Sequence, residues 1–179
     1  ILAYARRAGR RAVGLGANAE ATEALSMAVA LEARVQEADP VPRAATRLDL
    51  AVTAFSAGRL DDAVEQSRTI LDILRDAEAE PAVRLRAQAS GLLGDTLFQQ
   101  ADPDGARAAM ERAAALHDAA GLPYEAARVR CSIGFMLRSL GAVNEGLRIA
   151  LEGWTILRDA DDPALVCRAG HDLGNILRD

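Results

Sequence analysis

The stretch GLGANAEA, residues 14 to 21, sets Gly14, Gly16 and Ala19 at G-x-G-x-x-A spacing. Glycines so spaced can let a backbone cradle a pyrophosphate at a helix N-terminus. That chemistry needs a buried strand leading into the turn. The residues before it, ILAYARRAGRRAV, are rich in Ala, Leu and Arg and read as a helix. No nucleotide site is expected. The other reactive side chains are scattered. His117 and His171 lie in different segments, and Cys131 and Cys167 are too few and too far apart for a zinc site or a disulfide framework. Cys131 and His171 stand 40 positions apart at equivalent places of a repeat. A Cys–His pair without an orienting third group is not a competent nucleophile. The acidic pairs Asp61-Asp62 and Asp161-Asp162 fall at turns, where carboxylates serve helix starts. Nucleophile, base, metal set and phosphate cradle are not assembled anywhere, so this segment is read as non-catalytic, without cofactor or metal.

Composition narrows the remaining classes. Half of the 179 residues are apolar and only 3% are aromatic, with Ala and Leu dominant, which favours helix over sheet. All 21 basic residues are arginine, a bias attributed to a GC-rich genome rather than to chemistry. A net charge of −5 and a pI near 5.1 argue against nucleic acid as the partner. Arg6, Arg7, Arg10 and Arg11 form the one basic cluster, expected to be a solvated face or a docking surface for a preceding domain. No apolar run approaches the roughly 18 residues of a membrane span, and no signal peptide opens the chain. The expected location is the cytoplasm.

The elements that carry these residues emerge from a repeat. VGLGANAEA recurs in role as FSAGRLDDA (55–63), FQQADPDGA (98–106) and RSLGAVNEG (138–146). The small residues Ala21, Ala63, Ala106 and Gly146 follow one another at 42, 43 and 40 positions. Upstream of each turn stands an apolar-small pair: Ala8-Gly9, Leu50-Ala51, Leu93-Gly94 and Ile133-Gly134, with Leu173-Gly174 as a fifth. Downstream come Leu25 and Ala28, Ser67 and Ile70, Met110 and Ala113, then Ala150 and Gly153. Small residues facing one another let two helices approach closely. GLGANAEA therefore reads as the corner of a helical hairpin. Caps and prolines place helices at roughly 2–14, 18–37, 42–57, 60–78, 81–100, 103–120, 123–140, 143–160 and 163–179, with no strand. Asp102-Pro103 and Asp162-Pro163 are the clearest starts, and Pro42, Pro81 and Pro123 are expected to open helices likewise.

LGDTLFQQADPDGARAAMERAAAL (93–116) and IGFMLRSLGAVNEGLRIALEGWTIL (133–157) resemble the tetratricopeptide repeat (TPR). The resemblance covers the chain, with Leu, Ala or Met at most aromatic positions and a period of 40–43 in place of 34. Long periods resemble the repeats of kinesin light chains and bacterial regulators. The resemblance implies an all-α, right-handed solenoid of stacked antiparallel hairpins, a TPR-like superhelix. It is expected as one array over 1–179, with repeats at about 1–38, 41–79, 81–120 and 123–161 and a half repeat at 163–179, cut from a longer protein. Leu173, Ile176 and Leu177 would then lack a covering helix.

In such an array one stripe of each first helix faces the inner groove. In this register it holds Leu48, Val52 and Phe55, then Gln88, Asp95, Phe98 and Gln99. It continues with Arg128, Cys131, Phe135 and Arg138 and ends with Arg168, His171, Asn175 and Arg178. All three phenylalanines fall on it. The groove is read as a protein- or peptide-binding site, apolar at Leu48, Val52, Phe55 and Phe98 and basic at Arg128, Arg138, Arg168 and Arg178. Its expected partner carries apolar anchors and acidic groups, and the C-terminal helix offers a surface for self-association. The segment is expected to serve as an interaction or sensor domain of a bacterial signalling or transcription-regulatory protein. A regulatory segment of a diguanylate or nucleotide cyclase, or a small-ligand sensor, remains the alternative.

Overall fold

Prolines at the starts, alanine-rich interiors and glycine corners give nine helices among the described residues. A computed structural model of the chain describes residues 1–34 and 39–178, with backbone only at 163–165, 168, 169, 172 and 176. The helices are α1 (Leu2–Gly14), α2 (Asn18–Glu32), α3 (Pro40–Ser56), α4 (Leu60–Ile73), α5 (Glu80–Gln99), α6 (Pro103–Ala119), α7 (Pro123–Ser139), α8 (Val143–Leu157) and α9 (Pro163–Leu177). No strand occurs among the described residues.

Several boundaries differ from expectation, three of them for identifiable reasons. Asp39 caps α3 by accepting a hydrogen bond from the Val41 N–H at 2.9 Å, so Pro40 rather than Pro42 opens the helix. Pro42 is tolerated because first-turn N–H groups have no intrahelical acceptor. The second helices also stop early, α4 at Ile73 and α8 at Leu157. Asp76 and Glu78 follow the first of these, and Asp159, Asp161 and Asp162 the second, where negative charge opposes the C-terminal end of the helix dipole. Helix α2 also ends short of the expected 37, at Glu32 with Ala33 and Arg34 in a turn, and residues 35–37 lie outside the described residues.

Each hairpin corner closes the same way. Gly16, Gly58 and Gly141 take φ values of 70°, 72° and 86°, and Ala101 takes 61° at the equivalent place. There the chain turns back with paired 6→1 and 5→2 hydrogen bonds, as in Arg59 N–H to Ala54 O and Gly58 N–H to Phe55 O. The stretch GLGANAEA is thus a helix–helix corner with Gly16 in the left-handed region.

Within the hairpins a small residue on the first helix receives a larger one from the second. A Cβ on Gly9 would stand 2.6 Å from Leu25 Cγ, and one on Gly94 would stand 2.5 Å from Met110 Cγ. At Gly134 it would meet the Gly146 carbonyl oxygen at 2.6 Å and Ala150 Cβ at 2.7 Å. The helix axes are therefore as close as backbone and side chain allow. The flanking Leu93, Leu97, Val129, Ile133 and Leu137 bury the principal apolar cluster around Ala106, Met110 and Ala113.

The hairpins α1–α2, α3–α4, α5–α6 and α7–α8 stack in chain order through α2 on α3, α4 on α5, α6 on α7 and α8 on α9. Leu173 is buried on Ala150 of α8, so it does not lack cover, whereas Leu177 is exposed. The side chain of Ile176 lies outside the described residues. Arg6 of the basic cluster turns inward, while Arg10 stays exposed and still pairs across helices. Arg6 donates to Glu32 at 3.0 Å and to Thr46 Oγ1 at 3.0 Å, and Arg10 lies 3.6 Å from Asp49. These contacts tie α1 to α2 and α3. Burial raises the Asp49 carboxyl above its ordinary value, and Arg10 opposes that rise.

Gly134→Ala should cost about 1–3 kcal/mol, because its Cβ meets backbone that cannot yield without separating the helices. Gly91→Ala should stabilise by about 0.5–1 kcal/mol, since its Cβ would make only ordinary contact with Ala113 at 3.8 Å. Chemical denaturation of the two variants checks the pair. Equal losses would contradict the close approach.

Candidate functional site

First helices of successive hairpins also meet directly along the inner side: α1 with α3, α3 with α5, and α7 with α9. Helices α5 and α7 make at most a marginal backbone contact. Met110 fills the floor between them from α6, 3% exposed. The seam above it is open.

Two adjoining clefts occupy that seam. The larger, about 320 Å3, is lined by Phe55 of α3, Asp95, Phe98 and Gln99 of α5, Met110 of α6, and Ser132, Phe135 and Met136 of α7. The smaller, about 160 Å3, is lined by Gln88, Gly91, Leu92, Asp95, Met110, Arg128, Val129 and Ser132. Asp95, Met110 and Ser132 border both, so the two form one groove with an aromatic end and a polar end. The spacing of Phe98 and Phe135 follows from the repeat, which puts equivalent positions of α5 and α7 on opposite walls.

The groove thus brings together Phe55, Asp95, Phe98, Arg128 and Phe135. Other members of the inner stripe sit elsewhere. Leu48 is half-buried in the core formed by α3, α4 and α5, packed on the cluster of Ile70, Leu74 and Ala82. Val52 is exposed and does not line either cleft. Arg138 is half-buried one turn beyond Phe135, near the end of α7. His171 on α9 and Arg178 just past its end are exposed, and Asn175 Nδ2 lies 2.9 Å from His171 Nε2. The side chain of Arg168 lies outside the described residues. Cys131 faces α8, its Sγ 3.6 Å from the Ala150 oxygen, and Ser132 takes the place on the inner wall. Gly91, Leu92, Met110, Val129, Ser132 and Met136 join the lining without belonging to the expected inner stripe. Met110 carried one signal: with Leu25 it is one of two long side chains at a position where Ser67 and Ala150 stand in the other hairpins.

The polar end has an unusual electrostatic setting. The half-buried Arg128 makes no side-chain ion pair or hydrogen bond among the described residues. His117, near the end of α6, is 3% exposed, and its Nδ1 has no hydrogen-bond partner. Burial holds the His117 imidazole below its ordinary value, and the positive charges of Arg128 and Arg84 add to that, opposed by Glu125 and Asp118. Among the described residues no group of three or more His, Cys, Asp or Glu could hold a metal ion. None of their helices is long and apolar enough to cross a membrane.

The depressed imidazole fixes the sign of a pH effect. The unfolded chain takes up this proton first as pH falls, because its imidazole titrates near 6.5 and the folded one lower. The stability that His117 contributes is complete above that range and is lost as pH drops through the folded value. His117→Leu should flatten the stability profile over this window, read by urea denaturation at a series of pH values. A profile parallel to the parent would contradict the buried, uncharged state.

No protein-family model matches the chain, and no curated protein does. Solved structures do. A kinesin light chain-like protein of Podosopora anserina with nearly identical TPR-like repeats matches at TM-score 0.75 and 19% identity, over 98% of this chain and 84% of that one. The apo form of RapI matches at TM-score 0.82 and 11% identity, over 98% of this chain and 47% of that one. MamA matches at TM-score 0.69 and 18% identity, over 98% of this chain and 80% of that one. At such identities the likeness is one of fold.

Proposed function

From the premise that this chain folds as a TPR-like solenoid, we propose that its inner groove binds a protein or peptide segment and that the chain does no catalysis. In this reading it is the interaction or sensor module of a larger bacterial signalling or transcription-regulatory protein of the cytoplasm. One observation carries it: all three phenylalanines of the chain line a single open cleft beside Met110 and Met136. The buried core is built mainly from Leu, Ile, Val and Ala, and no phenylalanine is buried in it. The cleft volume, about 320 Å3, lies at the small end of the roughly 300–1,000 Å3 typical of ligand pockets. It suits one or two anchoring side chains of a longer segment better than an enclosed small molecule.

Arg128 supplies the second element of recognition. A guanidinium without a side-chain partner among the described residues, beside Gln88 at the polar end, suits a carboxylate on the same segment. Aromatic contact would set residence time, and the charge would act mainly on the association rate. The expected ligand pairs an apolar anchor with an acidic group a few residues away.

Peptides selected from a displayed library against the chain test this reading by calorimetry. Phe98→Ala should weaken the selected peptides by about 2 kcal/mol or more while helical content stays unchanged. Arg128→Glu should weaken them most at low salt, where screening is least. Selection without an apolar-acidic pattern, or parent-like binding by both variants, would remove the groove as the site.

A further inference from the structure

Beneath the polar end of the α5–α7 groove lies a buried titratable side chain, His117, that lines neither cleft. Helices α5 and α6 pack antiparallel in one register: Gly94 lies against Met110, and a Cβ on Gly91 would stand 3.8 Å from Ala113. One turn further, the same register sets His117 beside the fully buried Ala87, whose neighbour Gln88 lines the polar end. From the other side, the His117 carbonyl accepts from the Leu122 N–H at 2.9 Å, and Arg130 of α7 pairs with Asp118. His117 is therefore held between α5 and α7, under the place where Gln88 and Arg128 meet the cleft.

The imidazole is 3% exposed, and its Nδ1 is buried without a hydrogen-bond partner. The charges that act on it come from all three helices: Arg84 of α5, Arg128 and Glu125 of α7, and Asp118 of α6 itself. Arg84 is bonded to Glu80 at 2.6 Å, and Asp118 is paired with Arg130. Arg128 and Glu125 make no ion pair or side-chain hydrogen bond among the described residues. Of these two, Arg128 lines the cleft.

Burial and the two arginines keep the ring uncharged, against Glu125 and Asp118. A carboxylate seated on Arg128 cancels the positive potential that this guanidinium casts on the ring. It adds little desolvation, because the ring is already almost out of water. The balance then moves towards imidazolium.

We propose that a carboxylate bound at Arg128 brings a proton onto the His117 imidazole, so that the groove holds acidic segments more tightly as pH falls. The coupling rests on the reading of this groove as a binding site. The proton comes from solvent and adds to the unprotonated ring nitrogen, and no electrons are exchanged. By reciprocity, a protonated His117 strengthens the hold on the carboxylate. The window opens below the ordinary imidazole value of 6.5 and closes at about 4, where the ligand's own carboxyl becomes neutral.

Proton NMR of the free chain is the first test. The chain has two histidines, His117 and His171, and His117→Gln assigns their ring signals. Arg128→Gln should raise the pH at which His117 titrates and leave His171 unmoved. Calorimetry in buffers of different ionisation enthalpy is the second, with a library-selected peptide whose binding Phe98→Ala weakens. As pH falls from neutral towards about 5, the peptide should bind about threefold or more tightly, with net proton uptake. Replacing the peptide's acid by Gln, or His117 by Gln, should remove both effects, with circular dichroism as the folding control at each pH. If His117→Gln does not fold, Arg128→Gln and the Gln-bearing peptide still decide. An unmoved His117 titration in Arg128→Gln, or tight binding without proton uptake, would overturn the coupling and leave the groove as the site. A library that yields no peptide sensitive to Phe98→Ala would overturn both.

Discussion

The distance between the two helices of each hairpin governs the rest of this structure. It is set where a glycine or alanine on the first helix receives a side chain from the second, and the margins are a few tenths of an ångström. Gly146 and Gly153 have no room for a Cβ, which would stand 2.6 Å from the Gly134 oxygen and 2.5 Å from the Ala127 oxygen. Close axes let the flanking leucines and isoleucines interdigitate, and that burial holds an array with few aromatic residues together.

The same exchange of volume shapes the inner surface. The second helix presents Leu25, Ser67, Met110 and Ala150 at corresponding places in the four hairpins. Met110 reaches past Gly94 to the floor of the seam between α5 and α7. There the first helices stand apart, and Phe55, Phe98 and Phe135 gather around the opening. A packing choice in the core thereby positions the aromatic side chains that bear on binding. His117 and Arg128 belong to the same junction, where a buried uncharged imidazole lies under the influence of an arginine that has no acidic partner among the described residues.

Much of the fold was legible because repeat spacing, corner glycines and prolines each report local backbone geometry. All four corners and the all-α solenoid followed from them. The early ends of α4 and α8 were harder to read, because helix-compatible Arg and Ala continue among the carboxylates that oppose the helix end. The cross-helix pairing of Arg6 and Arg10 was not legible either. It depends on Glu32, Thr46 and Asp49, which lie far along the chain and meet α1 only after the hairpins stack. At the groove, helical spacing put the three phenylalanines on one stripe. It could not foretell that α5 and α7 stand apart, or that Leu48 packs inward while Ser132 replaces Cys131 on the wall. Those outcomes depend on relative helix rotation, which sequence period leaves undetermined to within one neighbouring residue.

The central claim is that Gly94 and Met110 are one packing unit, and a double-mutant cycle measures this directly. Gly94→Ala, Met110→Ala and the double variant would be compared by chemical denaturation. If Met110 occupies the space that glycine vacates, removing its side chain relieves the clash at position 94. The double variant should then be less destabilised than the sum of the singles, with a coupling of about 1–3 kcal/mol. Strict additivity would mean that the two residues do not compete for the same space, and the account of the close approach would fail.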